Sequence, residues 1–192
     1  MGIEYELKFK ATPQQQELVR QMFDVPEQLF SMETTYYDTP SGALSARHYT
    51  LRRRMENHRS VCTLKAPADL GRGEWECDCA DIWEAIPVLC QLGAPADLEA
   101  LVKEGLIEVC GARFTRIAKT VQLPEATAEL ALDSGVLLGG GKELPLCEIE
   151  VELKEGKPEA VAAFAAQLAL GVGLATEKRS KFRRALALYR GE

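Results

Sequence analysis

The sequence predicts an α+β protein, in which alternating antiparallel strands form the body and amphipathic helices pack against it. Three observations carry that expectation. In Ile3–Lys10, apolar Ile3, Tyr5, Leu7 and Phe9 alternate with charged Glu4, Glu6, Lys8 and Lys10, the period of a strand with one face on a core. The same device returns downstream in Glu148-Ile149-Glu150-Val151-Glu152-Leu153-Lys154. Residues 12–23, 81–105 and 158–170 instead space their apolar side chains at helical intervals.

A charged strand face is ordinarily the solvated side of an antiparallel sheet. Carboxylates two residues apart on such a face stand ~7 Å apart and repel, yet both segments carry Glu-x-Glu. Two rows of acids lining one interior need a cation between them. The pair therefore predicts a divalent-metal site.

The 192 residues suffice for one domain with a substantial core, taken as 1–192 without repeat, low-complexity tract or linker. The net charge of −6 argues against a nucleic-acid binder, whose affinity comes from neutralising phosphates. No stretch reads as a signal peptide or a transmembrane helix, and Glu6 stands where a myristoylation site needs Ser or Thr. Cys62, Cys77, Cys79, Cys90, Cys110 and Cys147 contain no Cys-x-x-Cys pair, and only His48 and His58 accompany them. Zinc and a disulfide framework are disfavoured, and the expected state is free thiols in a reducing cytoplasm.

Taken in order, Thr12-Pro13-Gln14-Gln15 offers an N-cap, a proline at the first helical position and a capping box ahead of Leu18, Val19, Met22 and Phe23. Thr34–Asp38 is β-rich and ends in the turn residues Thr39–Gly42. In Tyr49–Met55, period two puts Arg52 and Arg54 on one face, and Val61–Lys65 adds Lys65. Guanidinium groups suit bidentate phosphate recognition, so these strands predict a phosphate cradle. Gly71-Arg72-Gly73 reads as a turn, and Glu74–Cys77 resumes the alternation.

Two helices follow within Asp81–Gly105, separated by Gly93-Ala94-Pro95. Strands resume at Leu106, with Arg113, Arg116 and Lys119 on one basic run. Glu129–Leu137 reads as a strand, a tight bend and a strand. Gly139-Gly140-Gly141-Lys142 fails as a P-loop because Glu143 replaces the Ser or Thr that should follow the lysine, so it reads as a hairpin turn. Pro158–Leu170 is a helix with Gly171 as its stop, and Ser180 caps a basic closing segment.

Together these pieces resemble the CYTH, or triphosphate tunnel metalloenzyme, superfamily. The resemblance rests on Glu4-Tyr5-Glu6-Leu7-Lys8, Tyr36-Tyr37-Asp38-Thr39, Leu51–Arg54, Thr63–Lys65, Arg116, Asp133, Glu148–Glu152 and Ser180-Lys181, which occur in the family's order. It implies a closed antiparallel barrel (a tunnel) of about eight strands with helices outside. It also implies Mg2+ or Mn2+ held by Glu4, Glu6, Glu148, Glu150 and Glu152. By the same carry-over Lys8, Arg52, Arg54, Lys65, Arg113, Arg116 and Lys181 bind a linear triphosphate, and Glu6, Lys8, Asp133 and Glu150 take part in catalysis.

Within the superfamily the chain is most similar to bacterial inorganic triphosphatases, which implies hydrolysis of tripolyphosphate to pyrophosphate and phosphate. Thiamine triphosphatase, class IV adenylyl cyclase and a non-catalytic polyphosphate-binding module are the alternatives. Those triphosphatases often carry a further C-terminal helical domain, so the resemblance leaves open a stand-alone form or a piece of a longer chain. Monomer and homodimer are equally compatible with the sequence.

Overall fold

The computed structural model describes residues 2–3, 5–68 and 72–192. One antiparallel sheet forms its body, with strands β1 (Gly2–Ile3), β2 (Glu6–Lys10), β3 (Glu27–Asp38), β4 (Thr50–Glu56), β5 (Arg59–Pro67), β6 (Arg72–Asp78), β7 (Ile107–Leu123), β8 (Ala126–Gly139), β9 (Lys142–Gly156) and β10 (Ala175–Thr176). Their order is β1-β6-β5-β4-β3-β7-β8-β9-β2-β10. The two-residue β1 and β10 stand at the ends of that order, and β2 to β9 are the long strands. The N-terminal segment contributes near both ends: β1 pairs with β6, Gly2 opposite Glu74, while β2 pairs with β9, Lys8 opposite Glu150.

The helices are α1 (Pro13–Met22), α2 (Ala43–Ala46), α3 (Ile82–Gln91), α4 (Leu98–Leu101), α5 (Pro158–Val172) and α6 (Lys181–Arg190). The Thr12 hydroxyl accepts from the Gln15 amide and the Gln15 side chain accepts from the Thr12 amide, so the capping box starts α1. Asp81 caps α3 by accepting from the Trp83 and Glu84 amides. None of these helices is long and apolar enough to cross a membrane.

Three apolar clusters fix the helices to the sheet. Ile82, Ala85, Ile86 and Leu89 of α3 and Leu98 of α4 bury against Leu51, Cys62, Leu64 and Trp75 of β4, β5 and β6. Val19 of α1 and Val161, Ala165 and Leu168 of α5 bury against Phe9, Leu130, Ile149 and Val151. Full burial of one such Leu, Ile or Val stabilises by about 2 kcal/mol. Phe182, Ala185 and Leu186 of α6 join Met32, Tyr36, Phe114 and Leu137 in the third cluster.

That third cluster corrects the expectation that every helix lies outside the sheet. Met32 and Tyr36 share a face with Thr34, whose hydroxyl accepts from Arg54, Phe114 shares one with Arg116, and Leu137 and Gly139 share one with Asp133 by period two. A Cβ on Gly139 would lie 2.4 Å from the Ala185 carbonyl oxygen. Helix α6 therefore packs on the charged face of the sheet. Apolar residues at the far ends of β3, β7, β8 and β9 give it a seat that the alternating charges nearby conceal in the sequence.

Other local differences have equally specific causes. Residues 126–139 form one uninterrupted strand rather than strand, bend and strand. Gly135 is needed for close approach, because a Cβ there would sit 2.2 Å from the Arg113 carbonyl oxygen. Arg72 and Gly73 lie in β6, and Gly73 leaves room for the Trp75 ring. Helix α5 runs through Gly171 and ends at Gly173, whose φ of 73° is the left-handed stop. Strand β3 begins at Glu27, seven residues before the β-rich run that announced it.

Candidate active site

A cavity of about 440 Å³ opens on the charged face, lined from every strand between β2 and β9 and by the first residues of α6. Among the described residues, eight basic and seven acidic side chains line it, with Phe30, Met32, Tyr36 and Phe182 as an apolar patch. Period two aims these groups inward while their neighbours Leu51, Leu64, Ile149 and Val151 bury outward under the helices. One alternation thus builds both the core and the site.

The acids concentrate on the wall formed by β2, β9 and β8. Glu6 lies opposite Glu152 and Glu152 opposite Glu129, which sets three carboxylates in a row across neighbouring strands. Lys8 Nζ donates to Glu6 at 2.6 Å, and Lys154 stands 3.0 Å from Glu152 and 3.7 Å from Glu129. Burial works against the Lys8 charge, yet Glu6 and then Glu150 hold its pKa above the ordinary lysine value.

Deeper in the site, Glu150 accepts from Lys181 at 2.8 Å and from Arg116 at 2.5 Å. Arg116 also donates Nε and Nη2 to the two oxygens of Asp133, each at 2.8 Å. Burial opposes ionisation of Glu150, but Lys181 and Arg116 override it and hold its pKa well below the carboxylate range. Burial likewise opposes the charges on Lys181 and Arg116, and their acidic partners push both pKa values up. Glu148 is fully buried, contacts Lys181 and Arg184, and has its pKa raised by burial.

The basic wall is β4 and β5. Arg54 donates Nε to Thr34 Oγ1 at 3.0 Å, and burial, with Arg52 nearby, lowers its pKa to about 10. Glu74 lies 3.6 Å from Arg52 and 3.3 Å from Lys65. Arg52 Nε is buried without a hydrogen-bond partner. Arg54, Arg116 and Lys181 each approach the Phe114 ring, 5.8, 5.9 and 5.2 Å from its centre. Three cations around one ring repel one another, and the ring's quadrupole offsets only part of that.

Of the residues expected from sequence, Glu6, Lys8, Arg52, Arg54, Lys65, Arg116, Glu150, Glu152 and Lys181 line this cavity. Asp133 and Glu148 lie buried beneath it, joined to it through Arg116 and Lys181. Arg113 does not belong to it. Three residues before Arg116, it falls on the opposite face of β7, where it is exposed and pairs with Glu143 at 2.9 Å. Glu4 lies outside the described residues.

Glu129, Lys154, Arg72, Glu56, Glu74 and Glu76 also line the cavity, beyond the residues expected from sequence. Glu129 was within reach, since it stands four residues before Asp133 on the same strand and so shares its face. Arg184 was not, because its contact with Glu148 depends on where α6 docks.

The chain is 28% identical over 193 residues to an inorganic triphosphatase of Haemophilus influenzae, which covers 96% of this chain and 54% of the relative. It thus spans about half the length of that relative. Two solved structures share the fold. One, a Hippeastrum protein with a dominant triphosphatase activity, superposes with a TM-score of 0.68 at 18% identity, covering 98% of this chain and 96% of that one. The other, protein PH1819 of Pyrococcus horikoshii, superposes with a TM-score of 0.63 at 25% identity, covering 97% and 99%. The CYTH domain model matches residues 2–186, and with a charged cavity lined from strands β2 to β9, the chain belongs to the CYTH domain family.

Proposed function

We propose that this chain hydrolyses inorganic tripolyphosphate to pyrophosphate and phosphate, using Mg2+ or Mn2+. One observation carries the reading: the cavity sets a cluster of cations beside a row of carboxylates that face one another across neighbouring strands. Arg54, Arg116 and Lys181 crowd round Phe114, while Glu6, Glu152 and Glu129 face one another across three strands. Like charges directly opposite destabilise a sheet. A phosphate chain satisfies the first group and a hard divalent cation the second. The activity named for the Haemophilus influenzae relative supports the same reading.

The donors suit such an ion. Carboxylates line the cavity, and no imidazole or thiol does so among the described residues, a set matched to Mg2+ or Mn2+ rather than zinc. Glu6, Glu150 and Glu152 would hold it, joined by Glu129 and, from its place in Glu-x-Glu-x-Lys, Glu4. When bound, the ion neutralises charge on the transferring phosphoryl group and activates water. Glu148 is assigned instead to hold Lys181 and Arg184.

Lys8, Arg52, Arg54, Lys65, Arg116 and Lys181 would grip the phosphoryl oxygens, the guanidinium groups by planar two-point contacts. Asp133 acts as a positioning residue, because both of its oxygens are committed to the Arg116 guanidinium. We read the sheet as a tunnel closed through the N-terminal segment, since β1 and β2 pair with β6 and β9 and the cavity takes side chains from both walls. Residues 1–192 then form one CYTH domain, and its six free thiols accord with a reducing cytoplasm.

Phosphate release from tripolyphosphate, thiamine triphosphate and ATP, each with Mg2+, Mn2+ or chelator, tests this. The expected result is release that chelator abolishes and that is fastest with tripolyphosphate. Release indifferent to chelator, or cyclic AMP formed from ATP as the main product, overturns it.

A further inference from the structure

Asp133, Glu148 and Glu150 bring carboxylate oxygens within 4.8 Å of one another, and all three are buried. Their cations are already in place. Lys181 Nζ lies 2.7 Å from Asp133 and 2.8 Å from one Glu150 oxygen, and it contacts Glu148. Arg116 holds the other Glu150 oxygen at 2.5 Å, and Arg184 holds the other Glu148 oxygen. Both oxygens of Glu150 are therefore engaged before anything enters the cavity. Adding a divalent ion to this balanced cluster leaves excess positive charge in a poorly solvated place, an arrangement that costs several kcal/mol when uncompensated.

Resting on the metal-dependent reading above, we propose that Lys181 is a resident counter-ion that occupies Glu150 until a divalent cation and a polyphosphate arrive together. Glu150 would then be released to hold the cation, and the Lys181 ammonium would turn to the phosphoryl oxygens. Lys181 suits this exchange better than Arg116. Arg116 is clamped by two bonds to Asp133, whereas Lys181 presents a compact charge on a flexible stem and already lines the cavity. The bare cation is opposed by Lys181, and the bare phosphate chain by Glu150. Each ligand therefore strengthens binding of the other, and by linkage the effect is reciprocal.

Equilibrium binding of Mn2+ without phosphate, followed by the resonance of the free ion, tests the exchange. The parent should bind bare Mn2+ weakly. Lys181→Met should bind it more tightly, by about tenfold or more, and Lys181→Arg, which keeps the charge, should return toward the parent. A Lys181→Met protein that binds bare Mn2+ no better than the parent overturns the proposal.

A second measurement needs no variant. In parent protein carrying 15N-lysine, the Lys181 ammonium resonance should stay in place with Mg2+ alone and move when tripolyphosphate is added with it. Full movement with Mg2+ alone overturns the proposal even if Lys181→Met does not fold. The function itself is judged separately. A parent that hydrolyses tripolyphosphate only with metal, but fails these two tests, keeps its proposed activity and loses the counter-ion exchange.

Discussion

Lys181, the first residue of α6, donates its ammonium to Glu150 in the middle of β9 at 2.8 Å. Through this bond the last helix of the chain reaches the acidic strand and, through Asp133, the clamp on Arg116. A change at Glu150 should therefore register in stability as well as in turnover.

Replacing Glu150 by Gln leaves Lys181 and Arg116 without one shared anion in a buried site. Breaking such a pair from one side costs about 3 kcal/mol or more. The expected outcome is a lower urea midpoint together with loss of tripolyphosphate turnover. Glu152→Gln offers the contrast, since its side chain is 27% exposed. Losing its Lys154 pair and its repulsion from Glu6 and Glu129 together should shift stability by under about 1 kcal/mol while still lowering turnover. Urea titrations and initial rates on both variants check this.

Arg52 is positioned to meet substrate. Its buried Nε has no hydrogen-bond partner and its contact with Glu74 is long, at 3.6 Å. Arg52→Ala should raise KM for tripolyphosphate by about tenfold or more, the cost of one charge-assisted contact. If the Glu74 contact were its whole role, KM would stay at the parent value.

Gly135→Ala should destabilise the protein by about 2 kcal/mol or more, as overpacking does. Its added Cβ meets the Arg113 carbonyl oxygen at 2.2 Å and the Phe114 Cα at 2.6 Å, and backbone has little room to yield. Gly171→Ala serves as control, because nothing lies within 4 Å of a Cβ there and the helix continues through it. It should be neutral or stabilising by up to about 1 kcal/mol.

Stability should also depend on pH in a defined sense. The Glu150 pKa is held well below its ordinary value of 4.5, so its contribution is fully present above that value and is lost as pH falls through the lower folded one. Glu148, raised by burial, works in the opposite sense. Lys181 and Lys8 have raised pKa values, so their contributions are complete below the ordinary lysine value of 10.5 and are lost as pH climbs through the folded ones. Urea midpoints should form a plateau between about pH 5 and 9, falling on both sides. Glu150→Gln should flatten the acid side.

Much of this was legible along the chain. Alternation in residues 6–10 and 148–154 gave the strands, the face and the acids, because period two is a local property of an extended backbone. Arg52, Arg54 and Lys65 followed from the same rule. Arg113 did not, since its neighbourhood holds basic residues on both faces of β7 and only the register, with Arg116 opposite Asp133, separates them. The bend expected within Glu129–Leu137 is absent because glycine marks a tight turn and a close backbone approach with the same letter.

The sequence by itself determined which side chains share a strand face, which helices are capped, and that acids and bases both needed an interior. Tertiary structure alone decided which faces meet. It set Glu129 beside Glu152, put α6 on the charged face, and made Lys181 and Arg184 the partners of buried carboxylates. Those pairings join strands and helices far apart in the chain, and their energies depend on distance and burial. Neither quantity exists until the sheet has assembled.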